Sequence, residues 1–181
     1  MKNFLRKAMR GFAYLAVGLL YNNPFGVFIG IRSFFYGILL NGMGKNCRVC
    51  DHVTIRGVRN IILGDTVSIH PYTLIGAVGS ISIGNNCGIA SHCSIIAGNH
   101  VHADINIPIK KQGIIKETIV VEEDVMIGTH ATIFGNSTIG RGSFISAGAV
   151  VSGKIPPYSI VVGNPGRIIS NRKGRLETKK K

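Results

Sequence analysis

From Val121 to Val151 every sixth residue is a large aliphatic: Val121, Ile127, Ile133, Ile139, Ile145 and Val151. The residues four places after them are compact: Val125, Ala131, Ser137, Ser143 and Ala149. This period fits neither a helix at 3.6 nor a strand at 2, so it must be read as a repeat before secondary structure is assigned. Six residues make one short strand and a corner. Three such hexads close a triangular coil, and coils stack at about the 4.8 Å strand spacing, each bonded to the coils above and below. The aliphatic is expected to fill the triangle and the compact residue to fit beside it at the corner. Gly128, Asn136, Gly140 and Gly142 fall where the turns want tolerance of positive φ. The same hexads begin at Met43 and run through Val49 and Ile55, then Leu63, Ile69 and Ile75, then Ile83, Ile89 and Ile95. The steps from Ile55 to Leu63 and from Ile75 to Ile83 are two residues longer, which predicts an insertion at one corner of each of two coils. The fold class is all-β: a parallel β-helix over 43–162, preceded by an N-terminal helical segment over 1–42.

The repeat is interrupted once. Between Ile95 and Val121 lies a stretch containing Gly98, Asn99, His100, His102, Asp104, Pro108, Lys110, Lys111, Gln112 and Gly113, read as a polar, irregular loop protruding over 97–119. Loops held out from a rigid scaffold are where binding and catalysis concentrate. Past Val151, Pro156 and Pro157 are expected to stop strand addition, and a basic tail occupies 163–181.

The first 42 residues carry no hexads. Phe12 to Tyr21 is uncharged, Asn22, Asn23 and Pro24 break the pattern, and Phe25 to Leu40 is apolar apart from Arg32, Ser33 and glycines, which predicts two helices joined at Pro24. A basic start before a short apolar core also resembles a signal peptide, but no small-residue cleavage site follows. Each apolar run falls short of the roughly 20 residues a spanning helix needs. Two readings stay open: an interfacial anchor with Lys and Arg at the headgroups, and helices packed on the first coil or on a neighbouring subunit.

Charge adds a constraint. The chain carries a formal net charge of +13 over 181 residues, concentrated in the head and the tail, which favours a polyanionic partner such as nucleotide phosphates or anionic lipid. Nucleic acid is disfavoured, because neither aromatic platforms nor a reading helix accompany the charge. Of the four cysteines, Cys47, Cys87 and Cys93 fall at the compact corner position and read as packed free thiols of a reducing cytoplasm. Cys47 and Cys50 form a C-x-x-C with no second ligand pair at similar spacing, so packing rather than zinc explains it.

The hexads, the Gly98-Asn99-His100 turn, Val125-Met126-Ile127-Gly128, the run from Ile145 to Val151 and the run from Pro156 to Pro165 together resemble the hexapeptide-repeat acyltransferases. The similarity covers roughly 43–170 and is strongest to galactoside and maltose acetyltransferases and to O-acetyltransferases of bacterial surface polysaccharides. It implies a left-handed β-helix, a homotrimer, and acetyl-CoA as co-substrate in a groove between neighbouring β-helices. It also implies a sugar or surface-glycan acceptor, and a place in the cytoplasm or at the inner face of the cell membrane. His100 matches the family's general base; an imidazole, which titrates close to neutrality, can take the acceptor proton during attack on the thioester. Thr129 matches the residue whose amide holds the oxyanion. Ala147 and Gly148 match the lining of the pantetheine arm, Arg167 a basic residue near the CoA phosphates, with Lys154, Arg172 and Lys173 as further cations for that work. Met126 stands where relatives carry Trp against the cofactor, and supplies an apolar contact without a stacking face. His70, Asn99 and His102 are the acceptor-side candidates.

Other classes compete. The zinc carbonic anhydrases built on hexapeptide repeats need an H-x4-H pair, and no two of the six histidines have that spacing; no metal is expected. A non-catalytic scaffold would keep the coils without needing His100, and transfer to the amino group of a nucleotide sugar remains an alternative to transfer to a hydroxyl. His52, His92 and His130 read as turn residues.

Overall fold

The structure is a computed structural model that describes residues 2–173. The hexads wind into a parallel β-helix of about six turns. Its first face stacks Gly42–Met43, Ile61–Leu63, Ser80–Ile83, Thr118–Val121, Ser137–Ile139 and Lys154–Ile155. The second face stacks Arg48–Val49, Ser68–Ile69, Gly88–Ile89, Met126–Ile127, Phe144–Ile145 and Ser159–Val162. The third stacks Thr54–Arg56, Leu74–Ala77, Ser94–His100, Thr132–Phe134 and Val150–Val151.

Register follows the hexads without a slip. Ile69 lies over Val49, and Ile89, Ile127, Ile145 and Val161 continue the column. Ile75, Ile95, Ile133 and Val151 do the same on the third face. These side chains are buried, as are the corner residues Val125, Ala131, Ser137, Ser143 and Ala149. A one-residue shift would turn each column outward, so the buried triangle fixes the register.

The corners divide the work between two kinds of residue. At most corners the position three after the core aliphatic has positive φ, as at Asn46, His52, Thr66, Tyr72, Asn86, His92, Asp124, His130, Asn136 and Gly142. Gly128 and Gly140, expected to serve the same purpose, lie outside that region. Gly128 is there for closeness instead: a Cβ on it would come within 2.6 Å of the Ala147 N in the next coil. The positive φ at Asn136, 58°, gives a clean test. Asn136→Gly should leave stability nearly unchanged, whereas Asn136→Val should cost about 1–2 kcal/mol, since a left-handed backbone penalises a branched Cβ. Both lose the same side-chain bond to Glu117, so equal urea midpoints for the two variants would refute the strain argument.

At the corner between the second and third faces the positive-φ column is aromatic. His52 stacks on Tyr72, Tyr72 on His92, and His92 on His130, at centroid spacings of 4.5, 4.9 and 4.7 Å. The three histidines are thus turn residues as expected. The cysteines are free, and three of their thiols bond to carbonyls of the next coil, Cys47 to Gly64 O at 3.1 Å, Cys87 to Glu122 O at 3.0 Å and Cys93 to Gly128 O at 3.1 Å. Burial pushes the Cys93 thiol up to about 11, so it stays a packed, unreactive group at neutral pH.

Both ends are finished by other elements. Two helices, α1 (Lys2–Leu19) and α2 (Gly26–Leu39), precede the first coil, joined through Pro24 as the sequence predicts. Arg32 on α2 is 1% exposed. Its guanidinium donates to Val49 O at 3.0 Å, Leu20 O at 2.6 Å and Asn23 O at 2.7 Å. Ser33 Oγ accepts from Val49 N at 2.9 Å and donates to Ile29 O. The polar pair that interrupts the apolar run therefore supplies the hydrogen bonds that the first coil has no neighbour to provide. At the other end, Pro156 and Pro157 do not stop the stack. They occupy a corner, and the following strand Ser159–Val162 pairs with the coil below. The closing element is Arg167–Asn171, which folds back antiparallel on Ser159–Val162.

Candidate active site

The triangular section gives the chain three long edges, and the residues singled out by sequence separate onto them. Thr129, Ala147 and Gly148 sit where the second face turns into the third, and Gly148 N donates to Thr129 O at 2.8 Å across adjacent coils. Arg167 joins this edge through its pairing with Val162, and is exposed. His70 lies exposed on the same edge, two coils below Thr129.

Thr129 is exposed, and its Oγ donates to Ser91 O at 2.7 Å, anchoring it to the coil beneath. Among the described residues neither the Thr129 N–H nor the Ala147 N–H makes a hydrogen bond. A free, rigidly held amide on an open edge is what an oxyanion requires. Beside the edge, Met126 is 46% exposed. Gly88 in the coil below leaves room for it: a Cβ there would sit 2.8 Å from Met126 Cε, so the thioether lies flat along the face. Sequence reading missed Gly88; the signal was a glycine at an outward strand position where the coil above carries a large side chain.

The edge between the third and first faces carries the other group. Ser94–His100 runs past the coil, and Ile114–Lys116 returns beside it, pairing Ile114 with His100, Ile115 with Asn99 and Lys116 with Gly98. The loop expected to be irregular is thus a β-hairpin at its base. Its tip is ordered by Gln112, whose amide nitrogen donates to Asp104 O at 2.7 Å and Ile107 O at 2.6 Å, while its oxygen accepts from Asp104 N at 3.1 Å. By sequence alone Gln112 is one polar residue of the loop among several. Its bracing role depends on a chain reversal that local spacing does not encode.

Within the hairpin, Asn99 Oδ1 accepts from His100 N at 2.8 Å, and His102 Nδ1 lies 2.9 Å from His100 O. A carbonyl only accepts, so Nδ1 of His102 carries the proton. His102 is thereby tied to the backbone of His100, whose own ring is exposed and forms no hydrogen bond among the described residues. Lys154 opens the first-face strand of the last coil on this edge, exposed.

Arg172 and Lys173 lie on the third edge, away from both groups. Arg172 Nη1 donates to Gly142 O at 2.6 Å and lies 3.3 Å from Asp124 Oδ2, and Lys173 Nζ sits 4.5 Å from the centre of the Tyr158 ring. Their charges are already engaged in fastening the chain end to the corner. A single copy therefore brings together Met126, Thr129, Ala147, Gly148 and Arg167, and separately Asn99, His100 and His102. The width of the third face keeps the two sets apart. Among the described residues no cluster of His, Cys, Asp and Glu could hold a metal ion.

No protein-family model matches the chain. A Mycobacterium tuberculosis protein named as a probable acetyltransferase is 36% identical over 131 residues, 72% of this chain, and the chain spans 44% of that relative's length. The solved maltose O-acetyltransferase of Clostridium difficile 630 is 25% identical with a TM-score of 0.77, over 92% of this chain and 88% of that one. Galactoside acetyltransferase in complex with coenzyme A gives a TM-score of 0.79 at 23% identity, over 95% of this chain and 84% of the other. By repeat and by fold together, the chain is a hexapeptide-repeat β-helix protein, similar in sequence to a protein named as a probable acetyltransferase and in fold to the maltose and galactoside acetyltransferases.

Proposed function

We propose that the chain is an acetyl-CoA-dependent acetyltransferase acting on a hydroxyl of a sugar or surface-glycan precursor, and that it works as a homotrimer. The observation that carries this reading is the separation of the two half-sites. An amide-bearing edge with small residues and a cation stands on one side of the third face, and a hairpin presenting His100 stands on the other. A cyclic assembly sets one copy's hairpin against the next copy's amide edge, since head-to-tail contacts close into rings. The hairpin suits such a contact: Ile105 is 95% exposed, and Ile107, Ile109, Ile114 and Ile115 are also open, an apolar surface that favours a partner.

In this arrangement His100 takes the proton of the acceptor hydroxyl as its oxygen attacks the thioester carbonyl. The Thr129 N–H of the neighbouring copy donates to the oxyanion. Collapse breaks the carbon–sulfur bond, and His100 returns its proton to the departing thiolate. Ala147 and Gly148 let an extended pantetheine approach the backbone, and Arg167 holds phosphate. The maltose and galactoside acetyltransferases of the same fold favour a sugar as acceptor.

The test is acceptor-dependent release of CoA thiol by purified protein, run with simple sugars, amino sugars and glycan-lipid extracts, alongside sedimentation to give the oligomeric state. Turnover with amino sugars alone would replace the hydroxyl by an amine. Absence of CoA binding would return the chain to the scaffold class. Arg167→Ala should raise the KM for acetyl-CoA about tenfold with kcat little changed, because a charge-assisted bond to phosphate is worth roughly 1.5–3 kcal/mol. An unchanged KM would move phosphate binding to Lys154.

A further inference from the structure

The two helices at the base of the solenoid bury one side and leave another unpartnered. Ala13 of α1 and Arg32, Ser33, Tyr36 and Leu39 of α2 face the interior. Leu5, Phe12, Leu15 and Leu19 of α1, and Val27, Ile31 and Phe34 of α2, are exposed. The two outward stripes are continuous. Phe12, 63% exposed, meets Phe35 edge-on at 5.7 Å, and Phe35 meets Phe34, 67% exposed, at 5.5 Å. An apolar surface of this extent marks an interaction site.

Charge indicates what covers it. No Asp or Glu precedes Asp51 in the sequence. On another side of α1, a cavity of about 770 Å³ is lined by Lys7, Arg10, Tyr14 and Arg59, with Met9 and Leu39 among its apolar walls. Arg59 comes from the longer corner after Ile55, where Val58–Asn60 forms a 3₁₀ turn over a buried Val58, so that insertion brings a third cation to the helix pair. Among the described residues none of the three cations is in an ion pair. A second copy docked through the same patch would set cation against cation. An anionic bilayer offers hydrocarbon for the stripes and phosphate for the cavity. Neither helix is long and apolar enough to cross a membrane, so the contact is interfacial.

We propose that α1 and α2 form a docking surface for an anionic lipid bilayer, with Phe12 and Phe34 entering the acyl boundary and Lys7, Arg10 and Arg59 holding headgroup phosphate. The inference rests on the surface alone and not on the transfer chemistry.

It is tested by flotation of the full chain with vesicles of phosphatidylcholine, with and without phosphatidylglycerol. Wild-type protein should float with the phosphatidylglycerol vesicles and remain behind with phosphatidylcholine alone. Arg59→Ala should weaken binding about fivefold, as expected for roughly 1 kcal/mol per basic residue at an anionic surface. The double variant Phe12→Glu, Phe34→Glu should abolish it. Should that variant misfold, a second probe is at hand because the chain has no Trp. The single-tryptophan variant Phe34→Trp should shift its emission to the blue on adding phosphatidylglycerol vesicles, and inorganic phosphate should not cause the shift. Equal flotation with both vesicle types, or an unshifted Phe34→Trp emission, would overturn the proposal. So would a double variant that still floats but changes its oligomeric state, which would assign the patch to a second copy.

Discussion

His100→Ala is expected to lower acceptor-dependent thiol release by about 10²- to 10⁴-fold, the range that loss of a general base produces. The ring stands on a paired strand, opposite Ile114 in the hairpin, with no hydrogen-bond partner among the described residues, so the substitution should leave the hairpin and CoA affinity intact. The loss should appear in kcat, with the KM for acetyl-CoA within a few-fold of wild type, because the ring acts only as the hydroxyl is deprotonated. His102→Ala separates the neighbouring histidine: its Nδ1 is bound to the His100 carbonyl, so it should cost far less. Activity of His100→Ala within a few-fold of wild type would end the assignment, and a larger loss in His102→Ala would transfer the role.

The second large effect is on stability. Arg32→Met should lower it by about 3 kcal/mol. Val49 O and Asn23 O lose their donor, while Leu20 O keeps the bond from Asn23 N at 3.2 Å, and an unmet buried acceptor costs roughly 1–3 kcal/mol. Part of that is returned, because the cation no longer has to be desolvated. Burial presses the Arg32 guanidinium below its ordinary value while Asp51 pushes it back up, and the Nε has no partner among the described residues, so the wild-type site itself carries some unmet cost. For a chain of this size the change corresponds to a fall of about 10 °C in Tm. A melting transition within about 2 °C of wild type would show that the helix pair contributes little to holding the first coil.

Much of the fold was readable because the repeat is enforced at every coil. A side chain at Ile127 sees the same triangle as one at Ile89 or Ile145, so the period survives in the sequence, and even the longer corners after Ile55 and Ile75 can be counted. What escaped depends on partners distant in sequence or on backbone shape. Pro156 and Pro157 look like strand breakers, yet they fall on a corner, where no ladder bond is asked of them. The stretch after His100 is rich in polar residues and gives no alternation, so the strand Ile114–Lys116 was invisible until it met Asn99 and His100. Arg32 looks like an interruption in an apolar helix; its purpose appears only when Val49 O and Leu20 O are seen around it. For the site, the motif-bearing positions were legible singly, while their division between two edges was not, because which edge a corner belongs to is a property of the closed coil. Arg172 and Lys173 show the opposite limit: their charge was evident, but not its engagement by Gly142 O, Asp124 and Tyr158.

The uniform stacking of coils also makes the solenoid a ruler. The helix pair lies under the first coil and the hairpin leaves from the third, so two coil intervals, roughly 10 Å at the usual strand spacing, set the height of His100 above the base. Since each coil repeats the register of the last, a whole coil could be gained or lost below Ser94 without turning any core side chain outward. If His100 is the base and the helix pair rests on a bilayer, as proposed above, such a change would alter only how far from that surface His100 reaches. The number of coils beneath the hairpin would then select acceptors by the length of what tethers them.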